Sequence, residues 1–111
     1  MRDEPFEPVA FGCDDQVVVA RVGPGGDYEH VEIEGDILGH GWITTQARVR
    51  KVLRGGDLPN RLMVRYFDHT YLRRDRDFML VLKRGDGGVY EVQRWRLMAR
   101  RPKLAARCDG G

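Results

Sequence analysis

The chain has 111 residues, enough for one domain and too few for two, and its 41% hydrophobic and 32% charged residues are typical of a globular protein with a charged surface. No apolar run approaches the roughly 18 residues of a membrane-spanning helix, so no membrane span is predicted. The net charge is +2, but the charges are unevenly placed: residues 1–36 hold ten acids and two bases, and residues 37–111 hold seventeen bases and seven acids. The two segments either form a polar partner surface or neutralise each other in the fold.

The N-terminal residues 1–13 are predicted to form an irregular arm, because Pro5 and Pro8 interrupt any regular element. The acids and prolines of this arm differ from the basic and apolar stretches of an export signal. The first strand is predicted at residues 16–22, where three consecutive valines favour pleated backbone. Residues 23–41 hold six glycines, which predicts a long connection with a short strand at residues 29–33.

Four further strands are predicted by alternating or strongly apolar runs. The first of them, residues 42–53, alternates until Val52 and Leu53 break the phase, which predicts a bulge or bend of the kind that barrel corners need. The others are residues 61–67, 78–84 and 89–94. Residues 78–84 are the most apolar, so this strand is expected to be central, and the glycines of residues 85–88 predict a hairpin turn.

The last part of the chain, residues 95–111, is rich in helix formers and in arginine and predicts a basic helical tail that Pro102 divides. The predicted fold class is therefore all-β: a small five-stranded OB-like barrel over residues 14–94 with a C-terminal helical segment. A plain antiparallel meander or a sandwich is the alternative, because periodicity alone does not separate these architectures.

Three ordered stretches resemble the N-terminal, netrin-like domain of the tissue inhibitors of metalloproteinases. They are GCDDQVVVARV at residues 12–22, GDILGHG at 35–41 and ARVRKVLRG at 47–55. The resemblance runs from about residue 12 to about residue 108, and it implies an OB-type barrel. It also implies a disulfide bond between Cys13, just before the first strand, and Cys108, after the barrel.

The chain departs from that family at the residues that inhibit proteases. The family's inhibitors begin with a cysteine whose amino group and carbonyl chelate the target's zinc, whereas this chain begins with Met1 and has two cysteines where the family's domain uses six. The resemblance therefore implies the fold and the bond but not inhibition. Two free thiols are the alternative to the bond; a bonded pair predicts a secreted or periplasmic protein and free thiols a cytoplasmic one.

The sequence predicts no catalytic residue, no metal site and no cofactor. His30, His40 and His69 lie in predicted loops or strand edges, and none has the close spacing of zinc ligands. The glycine-rich residues 23–27 lack the lysine and the following helix that a phosphate-binding loop needs. The chain is therefore predicted not to be an enzyme.

Two basic segments with interleaved aromatics are the candidate binding residues. The first is the tail, with Arg94, Trp95, Arg96, Arg100, Arg101 and Lys103 in a stretch without acids; guanidinium groups contact phosphates and an aromatic ring stacks on a base. The second is the connection after the third long strand, with His69, Tyr71, Arg73 and Arg74. The alternative for both is structural: a tail packed on the barrel, and arginines paired with nearby aspartates.

The first functional hypothesis is a non-enzymatic, monomeric interaction module that binds a protein partner through residues 23–41 and 68–77. The second is a single-stranded nucleic-acid-binding OB domain that uses the basic tail.

Overall fold

The β-branched and alternating runs form six strands, and these carry the regular structure of the chain. The computed structural model describes residues 9–23, 26–98, 104 and 107–108. The strands are β1 (Gln16–Val22), β2 (Asp27–Val31), β3 (His40–Arg54), β4 (Arg61–Asp68), β5 (Phe78–Arg84) and β6 (Val89–Leu97). The predicted strands therefore all form, with ends that differ by a few residues.

Five of these strands close into a barrel in the order β1-β5-β6-β4-β3, and the pairing of β3 with β1 completes the ring. All of these pairs are antiparallel except β4 and β6, which run parallel. Strand β2 lies outside the ring. It pairs with the first residues of β3, and β1 pairs with the same edge of β3 further along the strand. Strand β2 and the start of β3 therefore form a hairpin beside the barrel.

The predicted loss of phase in the long strand is confirmed as an irregular ladder between β1 and β3. Val17 pairs with Arg54 and Val18 with Val52, so Leu53 is left unpaired. A second shift follows, because Val19 pairs with Lys51 and Ala20 with Val49. An extra residue on one strand bends it, which lets the second half of the fifteen-residue β3 curve along β1 where the ring closes.

Two apolar clusters hold the fold together, one inside the barrel and one on its outer wall. The inner cluster includes Ile43, Val64, Tyr66, Leu80 and Leu82. The outer cluster joins Val17, Met79 and Val81, which alternate with inward-facing neighbours, to Val9 and Phe11 of the arm. Strand β5 is consequently buried on both faces from Phe78 to Leu82, as its apolar sequence indicates, although no strand is central in a closed ring.

The arm and the end of the chain meet over the outer cluster. Cys13 and Cys108 are bonded, with their Cα atoms 4.8 Å apart, and Val9 makes an isolated parallel bridge to Leu104. Leu104 and Cys108 both pack against the outer cluster. The disulfide thus fastens the two ends of the chain over β1 and β5, as the resemblance implies.

The predicted C-terminal helical segment is wrong at its start. Trp95, Arg96 and Leu97 are strand residues that continue β6, paired with Leu80, Met79 and Phe78. The half-buried Trp95 packs edge-on against Tyr66, with ring centroids 5.8 Å apart, so pairing and burial override helix propensity here. In the part of the chain that the structure describes there is no α-helix, and Arg100, Arg101 and Lys103 lie outside it. Within the same part, no helix is long and apolar enough to cross a membrane.

Candidate functional site

The two predicted contact segments come together at one end of the barrel. Because β3 and β4 are antiparallel, with Gly41 opposite Asp68 and Trp42 opposite Phe67, the start of β3 lies beside the end of β4. The turn between β2 and β3, residues 32–39, therefore lies close to the first residues after β4. We call this region, residues 32–42 and 67–69, the histidine end.

His40 is held in place from two sides within the histidine end. Its Nδ1 atom lies 2.8 Å from a carboxylate oxygen of Asp36, which accepts the imidazole proton. The ring of Phe67 stacks on the imidazole at a centroid distance of 5.6 Å. In the neutral imidazole this contact makes Nδ1 the protonated nitrogen, so Nε2 is the nitrogen that carries the lone pair.

Among the acids of the turn, Asp36 is the least exposed. Its side chain is only 11% exposed, and its second oxygen accepts the backbone N–H of Gly39 at 3.1 Å. The hydrogen bond from His40 lowers the pKa of the Asp36 carboxyl below its ordinary value. The carboxylate and the imidazole therefore act as one hydrogen-bonded unit at neutral pH.

Asp68 and His69 complete the polar part of the histidine end. A carboxylate oxygen of Asp68 accepts the backbone N–H of His69 at 2.7 Å and lies 3.0 Å from the Nδ1 atom of the same residue. The imidazole of His69 also lies edge-on to that of His40, with centroids 5.3 Å apart. One ligand atom from each of His40, Asp68 and His69 lies within 4.8 Å of those of the other two.

Beside these polar groups the turn exposes an apolar tip. Ile37 is 96% exposed and Leu38 is 70% exposed, although both are large aliphatic side chains. Ile33 and Tyr28 are also among the exposed apolar residues of this hairpin. A shallow groove of about 320 Å³ runs between Ile33 and Phe67, with Asp36 and His40 in its wall.

A second surface is an arginine-lined groove of about 430 Å³ on another part of the barrel wall. It is lined by Arg21, Arg48, Arg61 and Arg74, together with Val22, Gly23 and Gln46. Arg21 donates to Asp77 at 3.0 Å. Among the described residues no carboxylate pairs with Arg48, Arg61 or Arg74. We call this surface the arginine groove.

The predicted binding residues divide between these surfaces and the barrel wall. His69 belongs to the histidine end, and Arg74 lines the arginine groove, with Tyr71 beside it. Arg73 instead forms an ion pair with Asp75 at 2.9 Å, as the structural alternative expected. The remaining predicted residues with described positions are Arg94, exposed on β6, and Trp95 and Arg96, half-buried.

The sequence did not single out Asp36, His40 and Asp68 as a set. The register of β3 against β4 brings them to His69, and the local sequence contains no signal for that register. Trp42 and Arg65 were missed for the same reason: the guanidinium of Arg65 lies 4.0 Å from the centre of the Trp42 ring, on the outer face of the two strands.

Comparisons with known proteins supply no further assignment. The chain matches no protein-family profile, no curated protein and no solved structure.

Proposed function

We propose that the protein is a non-enzymatic, netrin-like OB-barrel module that binds a protein partner through the histidine end. The observation that carries this proposal is the exposure of Ile37 and Leu38 at the tip of the β2–β3 hairpin. Burying a large aliphatic side chain of this kind contributes about 1.5–3 kcal/mol, so two adjacent ones are a strong anchor for a partner.

The fold and the disulfide support the same proposal. A closed five-stranded ring with one parallel pair, β4 with β6, agrees with an OB-type barrel. The Cys13–Cys108 bond agrees with the netrin-like resemblance and favours a secreted or periplasmic location, because disulfides persist in oxidising compartments.

The charges around the tip indicate what the partner looks like. Exposed carboxylates lie on the strand and turn that lead to Ile37 and Leu38, namely Asp27 and Glu29 on β2 and Glu32 and Glu34 in the turn. Interfaces commonly place an apolar centre inside a polar rim of complementary charge. The partner is therefore expected to offer an apolar pocket bordered by lysine or arginine.

The experiment compares capture of proteins by three immobilised forms of the chain. The wild type is compared with the double variant Ile37→Ser/Leu38→Ser and with the control Val52→Ser/Met63→Ser, which removes two exposed apolar side chains elsewhere. Extracts of the source organism are passed over each. We expect a discrete protein that binds the wild type and the control and is lost from the Ile37/Leu38 variant. Equal capture by all three forms, or capture lost equally in the control, contradicts the proposal.

A second candidate function, binding of single-stranded nucleic acid, is favoured by the arginine groove rather than by the tail. Arg48 and Arg61 lie opposite each other on β3 and β4, and the exposed Tyr71 lies near Arg74 at the end of the groove. Unpaired guanidinium groups beside an exposed aromatic ring suit phosphates and a stacked base. The half-buried Trp95 packs on Tyr66, so it contributes little to such stacking.

Oligonucleotide binding at low salt tests this second candidate. If it is correct, affinity falls steeply as salt rises, and changing Arg48, Arg61 and Arg74 to Ala removes most of it. Changing three exposed cations elsewhere, Lys51, Lys83 and Arg94, removes the same charge and leaves most of the affinity. No binding at low salt, or equal loss in the two triple variants, excludes a role of the groove.

A further inference from the structure

We propose that His40, His69 and Asp68 bind a Zn²⁺ ion at the histidine end, with Asp36 orienting His40. This inference does not rest on the proposed protein partner, because it concerns the ligand set alone. Two imidazoles and one carboxylate whose ligand atoms lie within 4.8 Å of one another are a donor set that zinc accepts.

The spacing of the three groups needs little adjustment to hold an ion. Zinc bonds to nitrogen and oxygen of about 2.0–2.2 Å place neighbouring ligand atoms of a tetrahedral site roughly 3.5 Å apart. The side chain of His69 is 43% exposed, so it has room to rotate and close the remaining distance. His40 and Asp68 are half-buried and supply the fixed side of the site.

Asp36 is placed to orient His40 as a metal ligand. Metal-binding histidines usually donate their second ring N–H to a carboxylate, which fixes the tautomer and the orientation of the ring. The Nδ1–Asp36 hydrogen bond of 2.8 Å does this for His40 and leaves Nε2 for the metal. The stacked ring of Phe67 limits rotation of the same imidazole. His40 is therefore preorganised as a ligand rather than being a freely solvated side chain.

Three protein ligands leave one tetrahedral position open. At structural zinc sites the protein fills all four positions, whereas sites that exchange a ligand keep one for water or an incoming group. Of the three ligands, His40 also lines the groove between Ile33 and Phe67, so one side of the proposed site borders this groove. A water molecule or a side chain of another protein can complete the coordination there.

The experiment titrates the disulfide-bonded chain of 111 residues with metal ions, after any affinity tag has been removed and bound metal has been stripped with a chelator. Binding of Zn²⁺ is measured by calorimetry, and binding of Co²⁺ is measured by its d–d absorption. We expect saturable binding of one ion per chain with a tetrahedral Co²⁺ spectrum. His40→Ala and His69→Ala should lose it, Asp68→Asn should weaken it, and Asp36→Asn should weaken it about 10–100-fold, the usual effect of a supporting carboxylate.

His30→Ala is the matched control, because His30 lies on the adjacent strand β2 but has partners of its own, Tyr28 and Glu32. Its affinity should equal that of the wild type. In the unaltered chain, the ring signals of His40 and His69 should shift on addition of Zn²⁺ while those of His30 stay in place, which tests the ligands even if a variant fails to fold. No saturable binding by the wild type, or equal losses in His30→Ala and His40→Ala, overturns the proposal.

Discussion

Gly41 of β3 lies so close to the backbone of β2 that a side chain at this position would overlap the carbonyl oxygen of Glu29 and the ring of Tyr28. The hairpin that carries Ile37, Leu38 and Asp36 therefore depends on a residue without a Cβ atom. Both proposed properties of the histidine end depend on this hairpin.

Gly41→Ala should loosen the hairpin and leave the barrel folded. Strand β2 is almost wholly exposed and contributes no residue to either apolar cluster, so the displacement is confined to it. Hydrogen exchange should accelerate in residues 27–31 and stay unchanged in β5, and Zn²⁺ affinity should fall. Gly56→Ala is the control, because a Cβ atom there meets open space. Unchanged exchange in residues 27–31 of the Gly41 variant would contradict this dependence.

Tyr66→Phe should destabilise the chain through a buried hydrogen bond. The phenol oxygen of Tyr66, 1% exposed, accepts the backbone N–H of Leu72 at 2.9 Å and so ties the β4–β5 connection to the core. Its removal leaves that N–H buried without a partner, which costs about 1–3 kcal/mol. Urea denaturation measures the loss. The control Tyr28→Phe, at an exposed ring, should change the free energy of unfolding by less than about 0.5 kcal/mol, and an equal change in both would refute the assignment.

The same phenol predicts a dependence of stability on alkaline pH. Burial raises the pKa of Tyr66 above its ordinary value, so the folded chain holds this proton more tightly than the unfolded chain. The associated stability is complete below the unfolded pKa of about 10 and is lost as the pH rises through the folded pKa. The difference in unfolding free energy between wild type and Tyr66→Phe should therefore be constant up to about pH 9.5 and shrink above it. A constant difference up to pH 11 would contradict the raised pKa of Tyr66.

Removal of the disulfide should loosen the ends of the chain before the barrel. The bond closes a loop with a sequence separation of 95, for which the chain-entropy model gives a contribution of about 4–5 kcal/mol. Cys13→Ser/Cys108→Ser should lower the free energy of unfolding by up to this amount. Protease cleavage should appear first near Val9 and Phe11, which pack under the bond. Unchanged stability, or first cleavage inside β5, would contradict this order.

The strands were predictable from the sequence because alternation and β-branched residues are local signals, as in residues 78–84. Even the bulge near Leu53 was visible as a lost phase. The helix formers around Trp95 predict a helix, whereas its pairing with Leu80 and its contact with Tyr66 depend on the closed ring. The approach of His40 to His69 depends on the register of β3 against β4. The separation of 29 residues in the sequence gives no local sign of this contact. Cys13 and Cys108 were paired correctly only through the family resemblance.

The most direct test of the central claim, that a protein partner binds the tip of the histidine end, is site-specific photo-crosslinking in the source organism. A photoreactive amino acid replaces Ile37 in one form of the chain and Val52, an exposed apolar residue near the other end of β3, in the control. The proposal predicts one discrete crosslinked product from position 37 that is absent from position 52. No product from position 37, or the same products from both positions, would contradict it.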